Sequence, residues 1–221
     1  MITGIYQIFA EATANLALAC GAGCATCCTR SVTLTTGEGW LIRDFLRQAG
    51  RTLPEMPADL LPLRPALTAN GLAGCYLAGR EPAETPDLPW LFEPCFFLRD
   101  GLCTIYEVRP FACRSFASTS NCALTSTAEM PGWFITLAIV TNQLLEELDA
   151  GGGWGNLADV LTSLDQGAAE SCGVLAEGRL LPNLPSPGLL VVPEESMPVK
   201  SYLARLAKHT GLKLDGRWGF R

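Results

Sequence analysis

Apolar residues recur every three or four positions at Ile5, Phe9, Ala12 and Leu16, the spacing that keeps one face of a helix apolar, and they predict a helix over residues 2–19. A second helix is announced by its start and stop signals. Thr35 and Glu38 have the spacing of a capping box, Gly50 stands where a helix would end, and Trp40, Leu41, Phe45 and Leu46 supply its buried side. Residues 133–148 form the longest apolar periodic run. It is closed by Gly151, Gly152 and Gly153 and is expected to be the central buried helix. Further helices are expected over residues 156–164 and 199–209, the last ending before Gly211.

Between these helices the pattern changes. Residues 51–89 carry Pro54, Pro57, Pro62, Pro65, Pro82, Pro86 and Pro89, a density that predicts a wrapping loop with at most a short helical turn. In "CFFLRDGLCTIY" two short apolar runs flank Asp100-Gly101, which predicts a hairpin. "EVRPFACRSF" suits a short helix with Pro110 in its first turn. No repeat of solenoid period is visible. The expected fold is mainly α with a small β-hairpin, an irregular, metal-stapled single domain over residues 1–221. Residues 20–122 would form its cysteine-cluster core and residues 123–221 a helical C-terminal part.

Composition narrows the function classes. Sixteen basic and twenty-two acidic residues give a formal charge of −6, which argues against a broad nucleic-acid surface. No uninterrupted apolar run reaches about 18 residues, so no membrane association is expected. "LALACG" invites a lipoprotein reading of Cys20. No Lys or Arg precedes Arg30, however, and Glu11 and Asn15 interrupt what would be the apolar core of a signal. The expected address is the cytoplasm, where clustered thiols more often hold metal or do redox chemistry than form disulfides.

Ten cysteines are present, and eight fall into two groups: Cys20, Cys24, Cys27 and Cys28, then Cys95, Cys103, Cys113 and Cys122. Thiolates are soft ligands suited to zinc or to iron–sulfur clusters. The single histidine, His209, is remote in sequence, so the site would be essentially all-thiolate. Were residues 20–28 helical, Cys20 and Cys27 would stand about 10 Å apart along the axis. Sulfurs on one zinc lie roughly 3.8 Å apart. Gly21 and Gly23 permit the alternative, a loop folded around metal. The adjacent Cys27 and Cys28 point in different directions and serve two metals, or two corners of a cluster, more easily than one ion. Three other readings compete. Disulfides are allowed by the even count but disfavoured by compartment. Inert burial suits Cys75 and Cys172 better than eight clustered copies. The C-x3-C-x2-C spacing of Cys20, Cys24 and Cys27 matches radical S-adenosylmethionine enzymes, but Thr26 replaces their usual aromatic residue and no strand–helix barrel is evident.

"CGAGCATCC", "VTLTTGE" and "CFFLRDGLCTIYEVRPFACRSF" together resemble the CxxCxxCC family of zinc- or iron-chelating proteins, also called YkgJ-like cysteine-cluster proteins. Cys103, Ile105, Tyr106, Arg109, Pro110, Cys113 and Arg114 match its second motif in order; the first motif departs in having three residues between Cys20 and Cys24. The resemblance spans roughly residues 20–122 and implies metal binding without a settled reaction. A relative in the wider family, flagellin lysine N-methylase, implies that such clusters can belong to protein-modifying enzymes.

The spacing of Cys95, Cys103, Cys113 and Cys122 exceeds that of zinc knuckles and favours iron–sulfur over zinc. Arg109, four residues before Cys113, would share a helical face with it. With Arg114 it would offset thiolate charge, or alternatively pair with Glu107 or Glu93. Tyr106 is a candidate hydrogen-bond donor to the site, with core packing from a strand as the plainer expectation. His209 complements a helix dipole beside Lys208, and the terminal "DGRWGFR" is expected to fray, dock back or engage a partner. The leading expectation is an iron–sulfur or polynuclear iron protein working in redox chemistry or on a protein or peptide substrate. The alternative is a non-catalytic zinc-stabilised interaction module. No residue is assigned a catalytic role.

Overall fold

A computed structural model describes residues 1–55, 64–165, 178–191 and 196–214. The longest apolar run forms the longest described helix, α6 (Gly132–Leu148), which starts after Pro131 and is apolar on most of its circumference. Its Phe134, Leu137, Val140, Leu144 and Leu145 are buried against α1 (Ile2–Ala12) and the last described helix, α8 (Ser196–Thr210). Ile5, Tyr6 and Phe9 enter from α1, and Val199, Tyr202, Leu203 and Leu206 from α8. Phe9 is the hinge of this packing, edge-on to Phe134 at 5.3 Å and to Phe111 at 4.8 Å between ring centroids. Each such buried side chain stabilises the fold by about 1.5–3 kcal/mol.

Helix α1 is shorter than its periodicity suggests. It ends at Ala12, where the Thr13 hydroxyl bonds back to the Phe9 carbonyl at 2.9 Å. Beyond that turn the backbone finds its partner elsewhere: the Ala19 N–H bonds the Ser118 carbonyl at 2.9 Å. Leu16 still packs on the core while Leu18 is exposed.

A second core gathers around a sheet that periodicity does not reveal. β1 (Thr33–Thr35) pairs antiparallel with β4 (Gly153–Asn156), Leu34 opposite Gly155, and β4 pairs with β5 (Leu181–Pro182). Gly153, expected only to help stop a helix, is therefore also the first residue of the middle strand. Against this sheet pack α2 (Thr36–Gln48) and α7 (Leu157–Asp165), through Ile42, Leu46, Val160, Leu161 and Leu164. The capping box is formed in full by Thr35 and Glu38. The approach of α2 to α7 requires a glycine: a Cβ on Gly39 would lie 2.7 Å from Val160 Cγ1. Trp40, expected on the buried side, is exposed; Ile42 takes the inward position instead.

The proline-rich stretch holds more than a turn. α3 (Ala69–Leu77) occupies its proline-free part and is capped by the Thr68 hydroxyl. Its first turn docks on α6 through buried polar groups: the Asn70 N–H donates to Glu146 at 2.7 Å, and the Asn70 amide donates to the Gln143 carbonyl at 3.0 Å. Glu146 also accepts from the Leu184 N–H. Burial raises its pKa, and those donors partly hold it down. β2 (Leu98–Arg99) and β3 (Leu102–Cys103) form the hairpin, turning through Asp100 and Gly101, both at positive φ. Two short helices follow, α4 (Phe111–Ser115) after Pro110 and α5 (Cys122–Thr125). No described helix is long and apolar enough to cross a membrane.

Candidate metal centre

Residues 20–28 fold as successive turns rather than a helix, with the Cys24 N–H bonding the Gly21 carbonyl, the Cys28 N–H bonding the Ala25 carbonyl, and Gly23 at positive φ. Both ends are strapped to distant chain. Ala19 bonds Ser118, as above. At the other end Thr29 bridges Pro94, the Cys95 N–H donates to the Cys28 carbonyl at 2.8 Å, and the Arg30 N–H donates to Glu93. Arg30 further reaches the Pro94 carbonyl and pairs with the Glu93 carboxylate. The first motif is thus laid directly along the start of the second.

Cys113 is placed from below by a buried carboxylate. Glu38, 2 % exposed, accepts from the Tyr6 hydroxyl at 2.6 Å, the Phe111 N–H at 2.8 Å and the Thr35 N–H at 3.0 Å. One side chain therefore ties α1, the start of α2 and the start of α4, and α4 carries Cys113. Glu38 announces itself in sequence only as a helix cap; its bond to Phe111 spans 73 residues and has no local signature.

The straps leave a cavity of about 440 Å³ lined by Cys20, Cys24, Cys27, Cys28, Cys95, Cys103 and Cys113. Cys122 is not on that lining but lies close enough to Cys20 for their charges to repel. Burial is the first cause raising the thiol pKa of Cys20, Cys27, Cys28, Cys95 and Cys113, and repulsion among the thiolates adds to it in each case. Cys27 is pushed up to about 11. Arg109 opposes the shift at Cys28 and Cys113, as do Arg30 and Arg99 at Cys95. Among the described residues no three His, Cys, Asp or Glu side chains stand at ligating distance from one point as their rotamers lie.

Arg109 departs from the expected helical arrangement, while Arg114 lies on α4. Arg109 precedes α4 in extended backbone, so it reaches Cys113 around the Pro110 corner rather than along a helix face. Its guanidinium lies 3.8 Å from the Tyr106 ring centroid, and its buried Nε has no hydrogen-bond partner. Arg114 instead braces the turn, donating to the backbone carbonyls of Arg109 and Glu107 and covering the Tyr6 ring at 4.3 Å. Tyr106 is not a core strand residue: it sits in a single 3-10 turn and is exposed. Cys75 is buried in α3, as an inert core cysteine would be. Cys172 and the terminal residues 215–221 lie outside the described residues. His209 lies in the last turn of α8 with its Nε2 3.0 Å from the Met1 carbonyl, and it is not among the residues lining the thiol cavity.

The residues present fit a soft metal. Cysteines are the metal-ligating side chains of the cavity wall, and Arg109, whose buried Nε has no hydrogen-bond partner, lines the same cavity, which suits the net negative charge of a four-thiolate site. Hard cations such as calcium or magnesium take oxygen ligands, and no Asp or Glu is among the residues lining this cavity. A mainly helical chain strapped around a thiol-lined cavity is the architecture of a cysteine-cluster protein. The chain belongs to the CxxCxxCC family, described as a putative zinc- or iron-chelating domain, which it matches over residues 19–133. No curated protein and no solved structure gives a significant match.

Proposed function

We propose that this protein holds iron, as an iron–sulfur or polynuclear iron site, on thiols drawn from both cysteine motifs. Its use would be redox chemistry or the modification of a protein or peptide in the cytoplasm. The observation that carries the reading is the convergence of seven cysteines from residues 20–28 and 95–113 on one cavity. A single zinc ion takes four ligands, so this many sulfurs supports a larger inorganic content. The wide intervals of the second motif favour iron over zinc knuckles for the same reason. The cavity is open on the side of the exposed Cys24, and the exposed Leu18 and Phe116 contribute to its wall, a surface suited to a peptide rather than to a small polar metabolite. When bound, the iron site would supply electron transfer or Lewis acidity. The chain's own part is to hold the thiols and to offset their charge through Arg109.

A second reading has its own support. Cys28, Cys95, Cys103 and Cys113 are all partly buried, and Cys28 and Cys95 are joined through the backbone, which suits a closed structural zinc site in an interaction module. Oxygen-free purification followed by element analysis and Mössbauer spectroscopy separates the two. Brown protein carrying iron and acid-labile sulfide supports the proposal, whereas colourless protein holding stoichiometric zinc overturns it.

A further inference from the structure

We propose, building on the metal-binding reading above, that the eight cysteines form two separate four-thiol sites whose membership crosses the two motifs. Cys20, Cys24, Cys27 and Cys122 make an outer site; Cys28, Cys95, Cys103 and Cys113 make an inner one.

The backbone straps impose this division. At one end of the first motif, the bond from the Ala19 N–H to the Ser118 carbonyl sets Cys20 beside the segment leading to Cys122. That segment is tightened by the Ser118 and Ser120 hydroxyls at 3.2 Å, and the Cys122 thiol turns back to the Ser120 carbonyl at 3.9 Å. At the other end, the Cys28 carbonyl accepts from the Cys95 N–H, and the hairpin returns Cys103 opposite Leu98. The two ends also rest on different cores. Cys20 packs against the α1–α6–α8 core, whereas Cys95, Cys103 and Cys113 pack against the core of the sheet. Charge proximity links the thiols within each group and joins the groups only at the adjacent pair and Cys24. Cys20 is repelled by Cys24 and Cys122, and Cys113 by Cys95, Cys103 and Cys28; the two groups meet at Cys28, which is the first thiol to repel Cys27 and is itself repelled by Cys103, Cys95 and then Cys24.

This arrangement explains the adjacent pair. Adjacent residues serve one ion awkwardly, so within the single thiol-lined cavity Cys27 is assigned to the outer site and Cys28 to the inner one. The sites also differ in character. Arg30, Arg99 and Arg109 stand near inner thiols, while the outer site has Gly21, Gly23 and the exposed Cys24 around it. The inner site is therefore the retained one and the outer site the exchangeable one.

The test is metal content and thiol protection in the metal-loaded full chain carrying Cys27→Ser, Cys28→Ser, Cys122→Ser or pairs of these. Cys27→Ser and Cys122→Ser should each lower bound metal about two-fold. Their combination should lower it no further, and Cys27→Ser with Cys28→Ser should remove nearly all of it. Alkylation of the half-loaded Cys122→Ser protein should label Cys20, Cys24 and Cys27 and spare Cys28, Cys95, Cys103 and Cys113, a readout that serves if Cys28→Ser fails to fold. Two results overturn the partition while leaving metal binding intact: Cys27→Ser and Cys28→Ser emptying the same half, or any one substitution emptying everything. Because the counts hold for zinc as for iron, zinc at two sites would sink only the iron assignment. Wild-type chain that takes up neither metal would sink both proposals.

Discussion

The buried carboxylate of Glu38 allows the support of the metal centre to be tested without touching a thiol. Its Oε1 accepts from the Tyr6 hydroxyl and the Phe111 N–H, and its Oε2 from the Thr35 N–H and hydroxyl. Glu38→Gln keeps the shape but replaces one oxygen with an NH₂ group. Whichever way the amide turns, it faces a backbone N–H that cannot accept from it, Phe111 on one side or Thr35 on the other. One buried N–H is then left without an acceptor, and the remaining bonds lose their charge assistance. At about 1.5–3 kcal/mol for a hydrogen bond to a charged group, the loss is about 3 kcal/mol. Glu38→Ala removes all of the acceptors together and should cost about 5 kcal/mol, a large part of the stability of a small domain. Urea unfolding of the metal-loaded protein measures the first effect. A double-mutant cycle with Tyr6→Phe isolates the Tyr6–Glu38 coupling, expected at about 1–2 kcal/mol. The same Glu38→Gln protein should release metal to a chelator faster, because α4 carries both the Phe111 N–H and Cys113. A change in stability below about 0.5 kcal/mol, with unchanged metal release, would refute the assigned role.

Gly39→Ala should destabilise by about 1–3 kcal/mol in urea unfolding, since the added Cβ meets Val160 Cγ1 at 2.7 Å and Leu164 Cδ1 at 2.8 Å; equal or greater stability would mean that α2 and α7 are not so closely apposed. Arg109→Gln should speed metal release to a chelator several-fold, whereas Tyr106→Phe should leave it unchanged, because the tyrosine offers Arg109 its ring face; the reverse order would reassign the two residues. Glu146 is held neutral more readily in the folded chain than in the unfolded one, its pKa being raised by burial. The stability it contributes is therefore full below the ordinary carboxylate range and is lost as pH rises through the raised value. Wild type should lose stability relative to Glu146→Gln over that window, and a gain would reverse the assigned shift.

Much of the frame can be read locally. The Thr35–Glu38 box and Gly50 bracket α2 because helix ends are chemical events a few residues long, and Asp100-Gly101 marks its hairpin for the same reason. The central position of α6 follows from its uninterrupted apolar run. What escaped local reading depends on contacts made far away. β4 is Gly-Trp-Gly-Asn, which is a strand only because Thr33–Thr35 and Leu181–Pro182 lie on either side of it. α1 stops early, giving way to local turns after Thr13, and by Ala19 the backbone bonds to Ser118 instead. Arg109 and Tyr106 were expected on regular elements, yet Pro110 puts the arginine off the helix, and the tyrosine caps it from outside. The list of candidate ligands needed only residue type and clustering. Their grouping needed the straps at Ala19 and Cys28, which no spacing rule contains.

X-ray absorption at the metal edge of the oxygen-free, metal-loaded protein is the most direct measurement of whether these cysteines are a metal centre. A first shell made of sulfur alone, at about 2.3 Å, is the predicted result. A shell dominated by nitrogen or oxygen, on protein whose eight thiols remain open to alkylation, would contradict it.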